Sequence, residues 1–146
     1  MSSSPPGAWA KSSLPPVGTT VSFSKTVSES DVYLFAGITG DLSRNHVDEA
    51  YMATTPYGGR IAHGMLVLSY ASTTSTMIQA LAGRDCVSYG YDRVRFTAPV
   101  RLGDTITVTY TITEVDEAAD KTYARIETRR ADDTLVCVAS HILKYF

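Results

Sequence analysis

The chain has 146 residues, 44% of them hydrophobic and 19% charged, and a formal net charge of −2. That hydrophobic share at this length fits one domain with a single core and leaves little room for a second. The near-neutral balance lacks the basic stripe that a phosphate backbone requires, so nucleic acid is not an expected partner. No run of about 18 apolar residues occurs, so no membrane-spanning helix is expected either.

Residues 1–18, MSSSPPGAWAKSSLPPVG, are rich in Ser, Pro and Gly and lack the apolar run of a secretory signal. They read as a flexible or extended arm before a domain at 19–146. TTVSFSKTV then alternates Val21, Phe23 and Lys25 with small hydroxyl residues, as a short edge strand does. Ser28 and Ser30 offer helix caps, DVYLFAGIT supplies a short helix with one apolar face, and Gly40 can end it in a left-handed C-cap. Asp41 to His46 follows as loop, and Asp48 to Met52 as a single helical turn.

After the turn-rich TTPYGGR, the segment IAHGMLVLSYASTTSTMIQAL predicts a long helix from Gly64 to Leu81, apolar on nearly every side at its start and therefore buried. At the standard rise it is about 27 Å long, enough to cross a small domain. Four strand-like stretches complete the chain. SYGYDRVRFTAPV sets Val94, Phe96 and Ala98 on one face; TITVTYTIT alternates apolar residues with threonine throughout; TYARIETRR and LVCVASHILKY follow, joined by the turns RLGD, EAADK and ADD. This order is α+β, with one antiparallel sheet curled around a long helix. Cys86 and Cys137 lie far apart, each in an apolar stretch, without CxxC or CxxH spacing, and read as free, buried thiols of a cytoplasmic protein.

Several residues carry potential chemistry. Asp41 taken alone is an ordinary turn residue after a Gly cap, and His46 alone an ordinary histidine. Both lie about twenty residues before a glycine, Gly64, that opens a buried helix. A helix N-terminus has free N–H donors and partial positive charge, and glycine lets a ligand approach them closely. A base beside an oxyanion site is the arrangement these features predict, with His63 and Ser72 as further candidates. His46, Asp48, Glu49 and His63 lack the spacing that sets two ligands on one face, so no metal is expected.

In combination the residues resemble a known family. GDxxxxHxD at 40–48, IAHGML at 61–66 and RFTAPVRLGDTITV at 95–108 occur in order and are similar to the MaoC-like, (R)-specific enoyl-CoA hydratases of the hot-dog fold. The resemblance covers roughly residues 19–146. It implies that Asp41 and His46 activate a water, that the Gly64 amide meets the thioester carbonyl, and that Ser72 helps to shape the site. It further implies an acyl-CoA or acyl-carrier substrate, no metal or organic cofactor, and a homodimer paired sheet edge to sheet edge. The family usually reads Gly-Asp-x-Asn-Pro-aliphatic-His; here Ser43, Arg44 and Asn45 precede His46.

The implied reaction is reversible addition of water to a trans-2-enoyl thioester. The acyl chain would run between helix and sheet, lined in part by ASTTST, and Arg60, Arg84 and Arg93 are the candidates for CoA phosphates. Two other functions use the same scaffold. A hot-dog thioesterase places a carboxylate on or beside the long helix, yet Met65 to Leu81 contains no Asp or Glu. A non-catalytic acyl-thioester binding or assembly subunit accounts for the altered loop but not for Asp41 and His46.

Overall fold

The computed structural model describes residues 14–146, so most of the expected arm, residues 1–13, lies outside the described residues. The elements are β1 (Thr20–Thr26), α1 (Glu29–Thr39), α2 (Arg44–Val47), α3 (Glu49–Met52), α4 (Gly64–Ser69), α5 (Ala71–Ala82), β2 (Cys86–Phe96), β3 (Thr105–Asp116), β4 (Lys121–Arg130) and β5 (Leu135–Tyr145). The strands form one antiparallel sheet in the order β1-β3-β4-β5-β2, with β1 and β2 at the edges. Residues 14–18, assigned to the arm by composition, lie against this sheet: Leu14 is buried and the Gly18 N–H donates to the Ile112 carbonyl.

The threonine alternation of β3 sorts its faces as expected. Ile106, Val108, Tyr110 and Ile112 are buried, joined on β4 by Ala124 and Ile126 and on β5 by Ala139, Leu143 and Tyr145. Helix α5 packs on β1 and β3 through Ala71, Thr74, Ile78 and Ala82, one stripe at helical spacing. Burying a side chain such as Ile78 contributes about 1.5–3 kcal/mol.

The long helix differs from expectation in two ways. It is interrupted at Tyr70, between α4 and α5, and only one stripe of α5 is buried; Ser72, Thr76, Met77 and Leu81 face outward. Ser69 Oγ donates to the Leu66 carbonyl at 2.6 Å, but the same bond from Thr74 to the Ala71 carbonyl, also at 2.6 Å, leaves α5 intact, so the hydroxyl alone does not account for the interruption. The Tyr70 hydroxyl is meanwhile drawn to Asp31 Oδ2, 3.1 Å away.

Asp31 also completes a capping box with Ser28 and pairs with Lys25 Nζ at 2.9 Å, so one carboxylate joins β1, α1 and the α4–α5 junction. Burial opposes its ionisation, but the Ser28 backbone N–H, Lys25, the Ser28 hydroxyl and Tyr70 outweigh that and hold it down to about 2. On β2 the expected alternation fails. Register shifts between Ser88 and Gly90 and between Asp92 and Arg95, with Arg93 at φ 54°, rotate the later side chains, so Val94 is half-buried while Phe96 turns toward α4.

Candidate active site

Gly40 closes α1 at φ 77°, the left-handed cap the sequence predicts. The chain then folds on itself through short polar contacts. Thr39 Oγ1 accepts the Asp41 N–H, and Asp41 Oδ1 accepts the Ser43 N–H, both at 3.2 Å. That Asx turn starts a helical turn, because the Ser43 carbonyl accepts the His46 N–H at 2.9 Å. His46 therefore sits on α2 and not on a plain loop. Asp48 caps α3 through the Tyr51 N–H, and Arg44 bonds Asp48 while lying 3.7 Å over the Tyr51 ring.

His46 is only 7% exposed, and its Nδ1 lies 2.8 Å from the Ile61 carbonyl oxygen. A carbonyl only accepts, so Nδ1 carries the proton and Nε2 of the neutral ring presents a lone pair. That Nε2 faces Asp41 Oδ2 at 3.8 Å, too far for a direct hydrogen bond and short enough for both atoms to engage one water. Oδ2 of Asp41 is thereby left for chemistry while Oδ1 holds the turn.

His63 occupies the layer behind. Its ring stacks on His46 with centroids 3.7 Å apart and planes at 24°, and it leans on Phe35 at 5.0 Å. Its Nε2 donates to the Asp41 backbone carbonyl at 3.0 Å, tying the start of α4 to the bend after α1. Buried Nδ1 of His63 has no partner among the described residues. Asp41, His46 and His63 bring possible ligand atoms within 4.8 Å of one another. Stacked imidazoles direct their in-plane lone pairs side by side, however, so both cannot converge on one ion at the 2.0–2.1 Å that zinc requires. The cluster fits a shared water better than a metal.

His46 and Gly64 line one cavity of about 420 Å³, with Ala62, Val67, Phe96 and the 97–100 segment around them. The Gly64 N–H, at the head of α4, has no acceptor among the described residues. Space, more than backbone freedom, demands glycine here. A Cβ at position 64 would lie 2.7–2.9 Å from atoms of the Phe96 ring. The approach to Gly64 is fixed by the Ala62 N–H donating to the Val100 carbonyl at 2.7 Å and by a bridge between Ile61 and Arg101.

The other predicted residues lie elsewhere. Ser72 is on the exposed side of α5 and does not line the cavity. Arg60 is half-buried and held between Glu29 and Glu49, which raise its pKa further, so its charge is already matched. Arg84 pairs with Asp120 beyond the far end of α5. Arg93 borders a polar groove on the outer face of the sheet with Asp92, Glu114 and Ser140. Conversely, Phe96, Tyr57 and the Ile61 carbonyl belong to the site; Phe96 and Ile61 fall within the motifs at 95–108 and 61–66 and Tyr57 within TTPYGGR, but the sequence does not mark any of the three as facing the cavity or His46. Asn45, visible there only as a departure in the loop, lines the cavity beside His46.

Residues 12–133 match the MaoC like domain, and the chain belongs to this family. It is 45% identical over 96 residues to the (R)-specific enoyl-CoA hydratase of Rhodospirillum rubrum, a stretch covering 66% of this chain and 65% of that relative. It is 31% identical over 125 residues to the 3-hydroxyacyl-thioester dehydratase Z of Mycobacterium tuberculosis, covering 82% of this chain and 83% of that one. The crystallised (R)-hydratase of A. caviae involved in PHA biosynthesis superposes with a TM-score of 0.80 at 26% identity, over 89% of this chain and 96% of that chain. The hot-dog fold implied by the motifs is thus the observed one. Among the described residues no helix is long and apolar enough to cross a membrane.

Proposed function

We propose that the protein hydrates trans-2-enoyl thioesters to (R)-3-hydroxyacyl thioesters, or dehydrates them in reverse. The observation that carries this is the facing of Asp41 Oδ2 and His46 Nε2 at 3.8 Å, next to a cavity that also holds the Gly64 N–H, which has no acceptor among the described residues. One water between the two residues donates one hydrogen to each, leaving an oxygen lone pair free to attack. As that oxygen adds to C3, Asp41 takes a proton and negative charge moves through C2 to the thioester oxygen, where the Gly64 N–H meets it. The new C3 hydroxyl lies between the two residues: it takes the proton from Asp41 Oδ2 as it gives its own hydrogen to His46 Nε2, and His46 passes that proton to C2, so Asp41 and His46 return to their starting states and both parts of one water add on the same face. A pre-aimed donor of this kind contributes on the order of 10² to 10³ in rate, and a positioned base about 10² to 10⁴. The step calls for no metal or organic cofactor.

His63 acts on the site by holding the Asp41 carbonyl. The space between α5 and the sheet, where the sequence placed the acyl chain, is filled by Ala71, Thr74, Ile78 and Ala82, so the chain begins instead in the cavity at Gly64, against Ala62, Val67 and Phe96, and a second copy of the protein pairs with this one. Pairing runs along β2, whose outer edge has no strand partner among the described residues and which exposes Val87 and Tyr89. The protein acts in the cytoplasm, where its two free cysteines remain thiols. The test is a panel of trans-2-enoyl-CoA thioesters followed by loss of the conjugated enoyl absorbance, with free thiol titrated in parallel. Hydration without thiol release is the expected result. Thiol release without hydration would make the protein a thioesterase, and neither signal would leave it a binding subunit. Sedimentation equilibrium is expected to return twice the monomer mass.

A further inference from the structure

Phe96 lines the catalytic cavity and touches Gly64, yet this large apolar side chain stays 48% exposed, so core packing does not account for its position. Its direction comes from the backbone of β2. Asp92 pairs with Ser140 and Arg95 with Val138, three steps along β2 against two along β5. One extra residue moves every later side chain to the opposite face of the sheet. In a regular strand Phe96 would share the face of Asp92, which borders the outer groove; with the extra residue it lies opposite buried Cys137 and reaches Gly64.

That extra residue is held against strain. Arg93 takes φ 54°, the left-handed region that an L side chain resists. The other two non-glycine residues of positive φ among the described residues are Asp120 and Asp133, aspartates in the connections on either side of β4, where that conformation is common. Arg93 adopts it inside a strand, and among the described residues its guanidinium makes no hydrogen bond or ion pair that would offset it. A strained bulge beside a functional site re-aims a side chain, and the side chain re-aimed here is Phe96.

The ring in turn fixes glycine at 64 and leaves no gap against it, so a group seated on the Gly64 N–H has the ring as its neighbour. In the hydratase reading that group is the thioester oxygen. C2 is bonded to the carbonyl carbon, and C3 lies one bond further, toward Asp41 and His46. Of the two acyl carbons that react, C2 is therefore the one beside the ring.

We infer that Phe96 is a specificity-determining contact that holds the space beside C2 and excludes acyl chains branched there. The inference rests on the hydratase reading, which sets the thioester oxygen at Gly64, and adds the class of acyl chain the site accepts: linear 2-enoyl thioesters in preference to their 2-methyl homologues.

Three CoA thioesters test it: crotonyl, its 2-methyl homologue and its 3-methyl homologue. In Phe96→Ala the ratio of kcat/KM for the 2-methyl thioester to that for crotonyl should rise about 10- to 10²-fold, while the 3-methyl ratio stays within about threefold of the parent. Phe96→Leu keeps an apolar wall and should give a smaller rise in the same ratio, so the test stands even if the alanine variant misfolds. An unchanged 2-methyl ratio overturns the proposal, and so does an equal rise for both branched thioesters, since the ring would then only fill space. If the parent protein hydrates none of the three, the hydratase reading fails by itself. Titration calorimetry with the unreactive isomers butyryl-CoA and isobutyryl-CoA, the second branched at C2, then decides the contact. Tighter binding of butyryl-CoA to the parent, with the preference lost in Phe96→Ala, supports it; equal binding of the two to the parent, or none, overturns it.

Discussion

Two buried histidine clusters lie in this small molecule, and only one is placed for chemistry. His46 has a carboxylate oxygen 3.8 Å from its free nitrogen and a cavity beside it. His141, fully buried on β5, is held between the Ser88 hydroxyl at 2.7 Å and the Tyr110 hydroxyl at 3.0 Å, with the Tyr91 ring stacked 4.2 Å away. A chain of Ser, His and Tyr resembles a nucleophile relay on paper. Its partners are neutral, however, and burial pushes His141 down to about 4 and the Tyr110 phenol well above its usual range. A histidine that cannot accept a proton near neutral pH is part of the core. What separates the clusters is the company of a charge and an opening, not the residue.

The widest break between them comes from Asp41→Asn, which keeps the Asx turn through Oδ1 and removes the charge. Turnover of enoyl-CoA should fall about 10² to 10⁴ with the melting temperature little changed. His46→Gln should cost a similar factor, and the double variant far less than the product, because the pair serves one water. Near-parental turnover in Asp41→Asn, measured by enoyl absorbance, would remove the proposed base.

Next in size is the Gly64 amide. Proline at the first helical position is tolerated, and His63 already has the extended φ −58°, ψ 135° that a residue before proline adopts. Any side chain at 64 meets Phe96, so the comparison has to be made in a Phe96→Ala background. There Gly64→Pro should fall below Gly64→Ala by about 10² to 10³ in kcat; equal rates would acquit the amide.

His63→Phe keeps an aromatic ring behind His46 but removes the hydrogen bond to Asp41. A slightly displaced base lowers kcat by about 10- to 10²-fold. The same change deletes a buried, unpartnered nitrogen, so thermal stability should hold or rise. A fall in both quantities would mean that His63 is only packing.

The smallest effect on turnover belongs to His141. Its folded-state pKa lies below the ordinary 6.5, so the unfolded chain binds more protons between about pH 4 and 6.5. The associated stability, on the order of 3 kcal/mol, is complete above pH 6.5 and is lost as pH falls toward 4. Asp31 adds a similar loss only lower down, between its ordinary 3.8 and about 2. His141→Gln should flatten the melting-temperature curve between pH 6.5 and 4.5 while turnover at pH 7.5 stays near parental.

These contrasts mark what the sequence can convey. Period-two threonines in β3, the Ser28 and Gly40 caps and the order of the strands are local patterns, and each reappears in the structure. Asp41, His46 and Gly64 were legible as a set because motif spacing survives in the linear chain. The bulge at Arg93, the turn of Phe96 over Gly64 and the bond from His63 back to Asp41 depend on how β2 docks beside α4 and how α1 meets α4. No window of neighbouring residues encodes those contacts. The interruption at Tyr70 has no such local signal, because Ser69 bonds its preceding turn as Thr74 does inside an unbroken helix, and the bond from Tyr70 to Asp31 exists only after folding.

Arg60 has a mechanical consequence. It grips Glu29 at the start of α1 and Glu49 at the start of α3, so the whole stretch from 30 to 48, Asp41 and His46 included, is a loop closed by one guanidinium. Closing a loop costs chain entropy once, and the cost grows only slowly with length. The tether thus permits variation inside the stretch, such as Ser43-Arg44-Asn45, without letting its ends drift. The Arg60 side chain is only 11% exposed, but the Glu29 and Glu49 side chains that it holds are 61% and 58% exposed, so added salt screens the tether as it does other surface pairs and the stretch should loosen as ionic strength rises.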